Sequence, residues 1–232
     1  MCGRFVGFRK MEALQSCFPI DKMACSATES FNVAPSQEVL VIFRQEGKNI
    51  LDKFHWGLVP FWARDTRIGS RLINARAETV AEKPSFRNAF KHRRCLVLAD
   101  GFYEWQGAKG NKQPVFITLP DKNPFAFAGL WESWRDKAND NAAYRSCTII
   151  TTQASASIRK VHHRMPAALH PDIYGAWLDP SNRNPEQLLR ILNDSVHRDF
   201  VYHPVSKQVN SVKNNAPSNI EPMKQTTFDF NT

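Results

Sequence analysis

Apolar positions fall in short alternating or clustered runs along most of the chain, and helical spacing is scarce. Residues 10–18 (KMEALQSCF) show helical periodicity. Residues 38–45 (EVLVIFRQ) and 50–58 predict a strand pair separated by Glu46-Gly47-Lys48. Ser85 is placed to cap a basic helix that runs through His92. Five strand signals follow: CLVLA (95–99), FYEW (102–105), PVFITL (114–119), FAFAGLW (125–131) and SCTIITT (146–152). Asn184-Pro185 has the N-cap and N1 pattern of a helix running through Leu192. VYHPVS (201–206) and the run to Val212 predict terminal strands. Many short strands with few interposed helices predict an α+β class, with a largely antiparallel, barrel-like β-sheet and peripheral helices. With no repeat, low-complexity tract or Gly/Ser linker, residues 1–215 read as one domain and 216–232 as a flexible tail.

Composition narrows the setting. The 232 residues are 42% hydrophobic and include 16 Phe and 6 Trp, enough for a substantial core. No window approaches the length of apolar chain that crosses a bilayer, and the N-terminus lacks the apolar centre of a signal peptide. The expected location is the cytoplasm, with association to the nucleoid. Five cysteines without CxxC spacing argue against a disulfide framework and a zinc site, and no cofactor is expected. Cys95 and Cys147 lie in apolar runs and read as buried thiols. A net charge of +9 suggests a polyanionic partner, although a generally basic surface has the same balance.

Candidate chemistry begins at Cys2. If Met1 is trimmed, Cys2 carries both an α-amine, of reference pKa about 8, and a thiol, of about 8.5. A 1,2-aminothiol condenses with an aldehyde to an imine and closes it to a five-membered thiazolidine. Four further segments place polar groups inside apolar runs. In LINARAET (72–79), Asn74, Arg76 and Glu78 share one face if the segment is a strand, as a solvated face would also have it. In LADGFYEW (98–105), Asp100-Gly101 signals a turn and Glu104 sits between Tyr103 and Trp105. A carboxylate in such surroundings can titrate near neutrality, whereas an exposed Glu on an alternating strand would not. In VHHRMPAAL (161–169), His162 suits a proton shuttle and Arg164 a phosphate. In WGLVPFWARD (56–65), Trp62 beside Arg64 and Arg67 suits stacking on single-stranded nucleic acid, while Trp56 reads as core.

Nine segments in order, namely Cys2-Gly3-Arg4-Phe5, FNVAPSQ (31–37), WGLVPFW (56–62), INARAET (73–79), Phe86-Arg87, DGFYEW (100–105), IITTQA (149–154), HHRMPA (162–167) and HPVSKQVNSVKN (203–214), resemble the SRAP family of SOS-response-associated peptidases, also described as abasic-site processing proteins. The likeness runs from residue 2 to about 214. It implies binding to single-stranded DNA at abasic sites and a covalent crosslink through the N-terminal cysteine. The roles implied are Cys2 as nucleophile, Asn74 positioning the sugar or Cys2, Glu104 moving protons, and His162 acting as acid on the opening sugar. Arg4, Arg76 and Arg164 would hold phosphates, Trp62 and Pro35 would pack on bases, and Thr151 would contact the DNA backbone. Lyase activity by β-elimination and removal of Met1 by the same residues in cis are further implications. His163, at a position variable in the family, is expected to perturb His162.

Two other readings compete. Glutaminase domains of amidotransferases also begin Met-Cys-Gly and use the freed amine as base, but their other glutamine-site motifs are missing from this chain. A non-covalent single-strand binder would leave Cys2, Glu104 and His162 without a role. Gln225, Phe228 and Phe230 in the tail look like a sliding-clamp peptide, a pattern short enough for chance to produce. A monomer is expected.

Overall fold

A computed structural model describes residues 2–108, 110–136 and 143–223. Its strands are β1 (Phe5–Gly7), β2 (Lys22–Met23), β3 (Ser30–Val33), β4 (Glu38–Gln45), β5 (Lys48–Trp56), β6 (Asn74–Arg76), β7 (Arg94–Ala99), β8 (Gly101–Gln106), β9 (Gln113–Thr118), β10 (Phe125–Trp134), β11 (Tyr144–Gln153), β12 (Arg164–Pro166), β13 (Ala168–Leu169) and β14 (Val201–Pro204). Four short helices accompany them: α1 (Met11–Cys17), α2 (Arg87–His92), α3 (Tyr174–Leu178) and α4 (Pro185–Asp194).

The α+β expectation holds, and the barrel is a ring. Strands β5, β4, β7, β10 and β11 pair in that order, antiparallel throughout, and a short parallel contact between β11 and β5 closes the circle at Ser146↔His55 and Cys147↔Trp56. Closure removes the unpaired edges that an open sheet would expose. The hairpin β4–β5 turns on Glu46 and Gly47 alone, because Lys48 already pairs with Gln45. Both turn residues have positive φ, 53° and 76°, as a tight hairpin whose twist matches its strands requires.

A second, five-stranded antiparallel sheet, ordered β14-β9-β8-β1-β3, packs against the ring. The chain passes between the two at Asp100, so β7 and β8 are consecutive but belong to different sheets. Asp100 anchors this crossing by accepting from Phe8 N (2.8 Å) and Arg9 Nε (2.7 Å). At Gly101 a Cβ would lie 2.3 Å from Cζ of Phe116, so a side chain cannot fit there. Phe127 of β10 packs edge-on against Phe5 of β1 and Phe102 of β8, with centroids 5.8 and 6.1 Å away, which places the aromatic core between the sheets. The buried guanidinium of Arg94 donates to the carbonyls of Phe90, Lys91, Trp177 and Asp179, tying the ends of α2 and α3 to the ring. Burial pushes its pKa down to about 10, against the pull of Asp179.

Several local expectations need correction. Ser85 caps nothing: Phe86 occupies the N-cap of α2 and no side chain bonds there. Asn184 does cap α4, accepting from Glu186 N and Gln187 N. Only residues 74–76 of LINARAET form a strand, so Glu78 does not continue its face. Beyond β14 the chain forms a 3-10 turn at Lys207–Asn210 instead of another strand. Pro217–Ile220 form a second such turn, with Asn219 buried. Gln225, Phe228 and Phe230 lie outside the described residues.

Candidate active site at the N-terminal cysteine

Strand pairing carries Cys2 to Glu104. β1 lies antiparallel to β8 at Phe5↔Phe102 and Val6↔Gly101, and Tyr103 N donates to Arg4 O at 3.0 Å, continuing the pairing toward the N-terminus. Alternation along β8 then turns Phe102 and Glu104 to one face and Tyr103 and Trp105 to the other. Cys2 and Glu104 are both buried. From the ring side, β6 runs parallel to β11 and presents Asn74, whose Nδ2 donates to Cys2 O at 2.7 Å. Asn74 Oδ1 is buried and has no hydrogen-bond partner among the described residues.

His162 completes the group. Its Nδ1 lies 2.9 Å from Arg164 N and 3.1 Å from Arg164 O. The neutral ring accepts from the N–H, and the protonated ring donates to the carbonyl, so both states keep a main-chain partner. Burial lowers the His162 pKa, while the Glu104 charge acts in the opposite direction. Burial also raises the Cys2 thiol pKa, with the Glu104 charge adding to the rise. Glu104 therefore acts on both Cys2 and His162, and at neutral pH the site holds a protonated thiol and a neutral imidazole. His163 stacks on His162, with centroids 4.4 Å apart and planes at 24°, and its charge adds to the lowering of the His162 pKa.

The predicted DNA contacts divide into two groups. Arg164 is buried and internally committed. It forks onto Glu78, at 2.6 Å to Oε1 and 3.0 Å to Oε2, and donates to Thr151 O at 2.6 Å. That pairing holds the Glu78 carboxyl below its usual pKa. Thr151 is wholly buried, its hydroxyl accepting from Arg164 and donating to Ala75 O at 3.4 Å. Arg4 donates to Asn32, Val209 and Asn210. Arg76 is exposed, and with Gln153, Arg159, His163 and Arg164 it lines a recess of about 410 Å³. Trp62 is 47% exposed beside Phe61 at 52%, on the loop after β5 that Trp134 holds through Ala63 O. Pro35 is half-buried before β4. As expected, Trp56, Cys95 and Cys147 are core.

Sequence reasoning missed Asn32 and Trp105, which bind the C-terminal segment, and Asn210 within it, and it gave no role to Arg159. A polar Asn32 inside the apolar FNV strand was the available signal. Among the described residues, no cluster of His, Cys, Asp or Glu could hold a metal ion, and no helix is long and apolar enough to cross a membrane.

The fold is a closed β-ring flanked by a second sheet, with a buried cysteine at the second position whose carbonyl an asparagine holds. The chain belongs to the SRAP family: the family model for SOS response associated peptidase (SRAP) matches residues 1–212. It is 43% identical over 224 residues to abasic site processing protein YoqW of Bacillus subtilis, covering 95% of this chain and 99% of that one. To abasic site processing protein HMCES of Gallus gallus it is 33% identical over 200 residues, covering 76% of this chain and 59% of the relative. A crystal structure of a protein from Bacteroides thetaiotaomicron superposes with a TM-score of 0.81 at 26% identity, covering 96% of this chain and all of the other.

Proposed function

We propose that this protein captures abasic sites in single-stranded DNA by a covalent crosslink from Cys2. The observation that carries the reading is a buried Cys2 whose carbonyl Asn74 holds and whose thiol feels the charge of Glu104, which also acts on His162. Its relatives' names supply the lesion.

The chemistry follows from the proton states. Hydrolysis of the Met1–Cys2 peptide bond creates the α-amine, a step the same residues can perform in cis. His162 takes the proton of the C1′ hydroxyl and returns it to the ring oxygen of the abasic deoxyribose as the hemiacetal opens to the aldehyde. The amine attacks C1′, Glu104 takes the amine proton, and loss of water leaves an imine. The thiol then adds to the imine carbon: an S–C1′ bond forms, and the thiol proton passes through Glu104 to nitrogen. The raised thiol pKa keeps that proton on sulfur until the imine exists, so the amine reacts first. Asn74 fixes the Cys2 carbonyl and offers Oδ1 to the amine or the sugar. β-Elimination through the acidified C2′ is the lyase side reaction of the same imine.

Arg76 and Arg159 supply phosphate contacts, and exposed Trp62 with Pro35 supplies stacking, which favours unpaired bases. Arg164 and Thr151 serve as the frame of that recess. The tail residues Gln225, Phe228 and Phe230 would add a sliding-clamp contact. A denaturing gel tests the reading. Mature protein mixed with an abasic single strand should give a heat-stable shifted band, absent with an intact strand and with Cys2→Ala. No band from protein whose mass shows Met1 removed would refute it.

A further inference from the structure

The segment that follows β14 covers the face of β8 opposite Glu104, and its contacts converge on the neighbours of the reacting pair. Asn32, buried on β3, donates from Nδ2 to three carbonyls of this strap: Asn214 at 2.7 Å, Ser211 at 3.0 Å and Val209 at 3.1 Å. Its Oδ1 accepts from Arg4 Nη1 at 2.6 Å. The same Arg4 reaches the strap at Val209 O (2.8 Å) and Asn210 O (3.2 Å). Trp105, one residue past Glu104, donates from Nε1 to Asn210 Oδ1 at 2.7 Å. The Arg4 guanidinium lies 6.0 Å from the centroid of the Trp105 ring. Tyr103, one residue before Glu104, packs with Val205 and Val209 and donates to Phe31 O at 2.8 Å.

We infer that Arg4, Asn32 and Trp105 are positioning residues, which clamp residues 2–4 and 103–105 to the strap at 209–214 and thereby set Cys2 against Glu104. The inference rests on the crosslinking reading and deepens it. Arg4 is two residues from the nucleophile, and Trp105 is adjacent to the proton carrier. The strap is therefore a shared external reference for two segments that the short β1–β8 pairing also joins. This assigns Arg4 to geometry in place of phosphate binding: its guanidinium donates to neutral oxygens of its own chain.

The test measures crosslinking under single-turnover conditions with an abasic single strand, for Arg4→Gln, Asn32→Ala and the milder Trp105→Phe, with Arg76→Gln as the contact control. Folded fractions come from near-ultraviolet circular dichroism. At saturating DNA the rate constant should fall about tenfold or more in the first two and a smaller factor in Trp105→Phe, as loss of alignment does. Half-saturating DNA and its salt dependence should stay at wild type, whereas Arg76→Gln should lower the salt slope by about one. In a parallel measurement without DNA, iodoacetamide alkylation of Cys2, read by peptide mass, should accelerate in Arg4→Gln and Asn32→Ala but not in Arg76→Gln. Wild-type rates in folded Arg4→Gln and Asn32→Ala overturn the clamp. A salt slope reduced by about one in Arg4→Gln makes Arg4 a phosphate contact and also overturns it. If wild-type protein forms no crosslink, the functional reading fails, and the alkylation rates alone decide the clamp.

Discussion

The closed ring and the flank that carries Cys2 hold together by different means. In the ring, backbone ladders satisfy the main chain and apolar side chains fill the interior, with Val97, Phe127, Cys147 and Ile149 on one face and all buried. On the flank, single side chains reach main-chain carbonyls: Asn74 to Cys2, Asn32 to the strap, Arg4 to the strap and Arg164 to Thr151. The ring tolerates change as long as volume and patterning survive. The flank does not, because each donor lost removes a specific side-chain bond to the main chain, worth about 0.5–1.5 kcal/mol. Positional accuracy for chemistry comes from the second arrangement, and independence from the site comes from the first.

Substitutions on either side should separate these properties. The largest effect is expected in the ring. Phe127→Ala should cost about 3–5 kcal/mol in denaturant unfolding, while the crosslinking rate per folded molecule stays at wild type. A lost rate in the folded fraction would show that the ring also tunes the site. Next, Arg164→Leu should cost about 2 kcal/mol, since it removes the fork onto Glu78 and the bond to Thr151 O, which keeps its bond from Ala77 N. Unlike Phe127→Ala, it should also slow crosslinking, because Arg164 N and O hold His162 and their strand would shift.

A pH effect of smaller size is expected where the chain after α4 meets β13. Burial pushes the His197 pKa down to about 4, with the neighbouring His170 charge acting in the same sense. The unfolded chain, near 6.5, binds the proton more readily. Stability is thus full above about 6.5 and is lost as the pH falls toward 4. Melting temperatures across that window should decline less steeply in His197→Asn than in wild type. The smallest effect belongs to the hairpin. Glu46→Asn, at φ 53° before Gly47, should add about 0.5 kcal/mol in thermal unfolding and leave crosslinking unchanged.

The same contrast explains what was legible in the sequence. Runs such as CLVLA and FAFAGLW announce their strands because a continuous apolar run fits a strand buried on both faces. Pattern does not say which sheet a strand joins, and β7 and β8 part company at an aspartate that reads as an ordinary turn. The site residues Cys2, Asn74, Glu104 and His162 stood out through their motifs, whereas the burial of Arg164 and Thr151 did not. An arginine that would serve a phosphate and one that satisfies a carboxylate and a carbonyl look alike until folding sets their neighbours. Asn32 was hidden for a related reason: its partners on the strap lie more than 170 residues away.

The most direct test of the central claim is the intact mass of the protein–DNA adduct before and after borohydride. Ring closure by the Cys2 thiol leaves no C=N bond, so the adduct mass should not change. An adduct that gains the mass of a hydride and a proton would be an open imine. That result would contradict the account by showing that the thiol takes no part in the final bond.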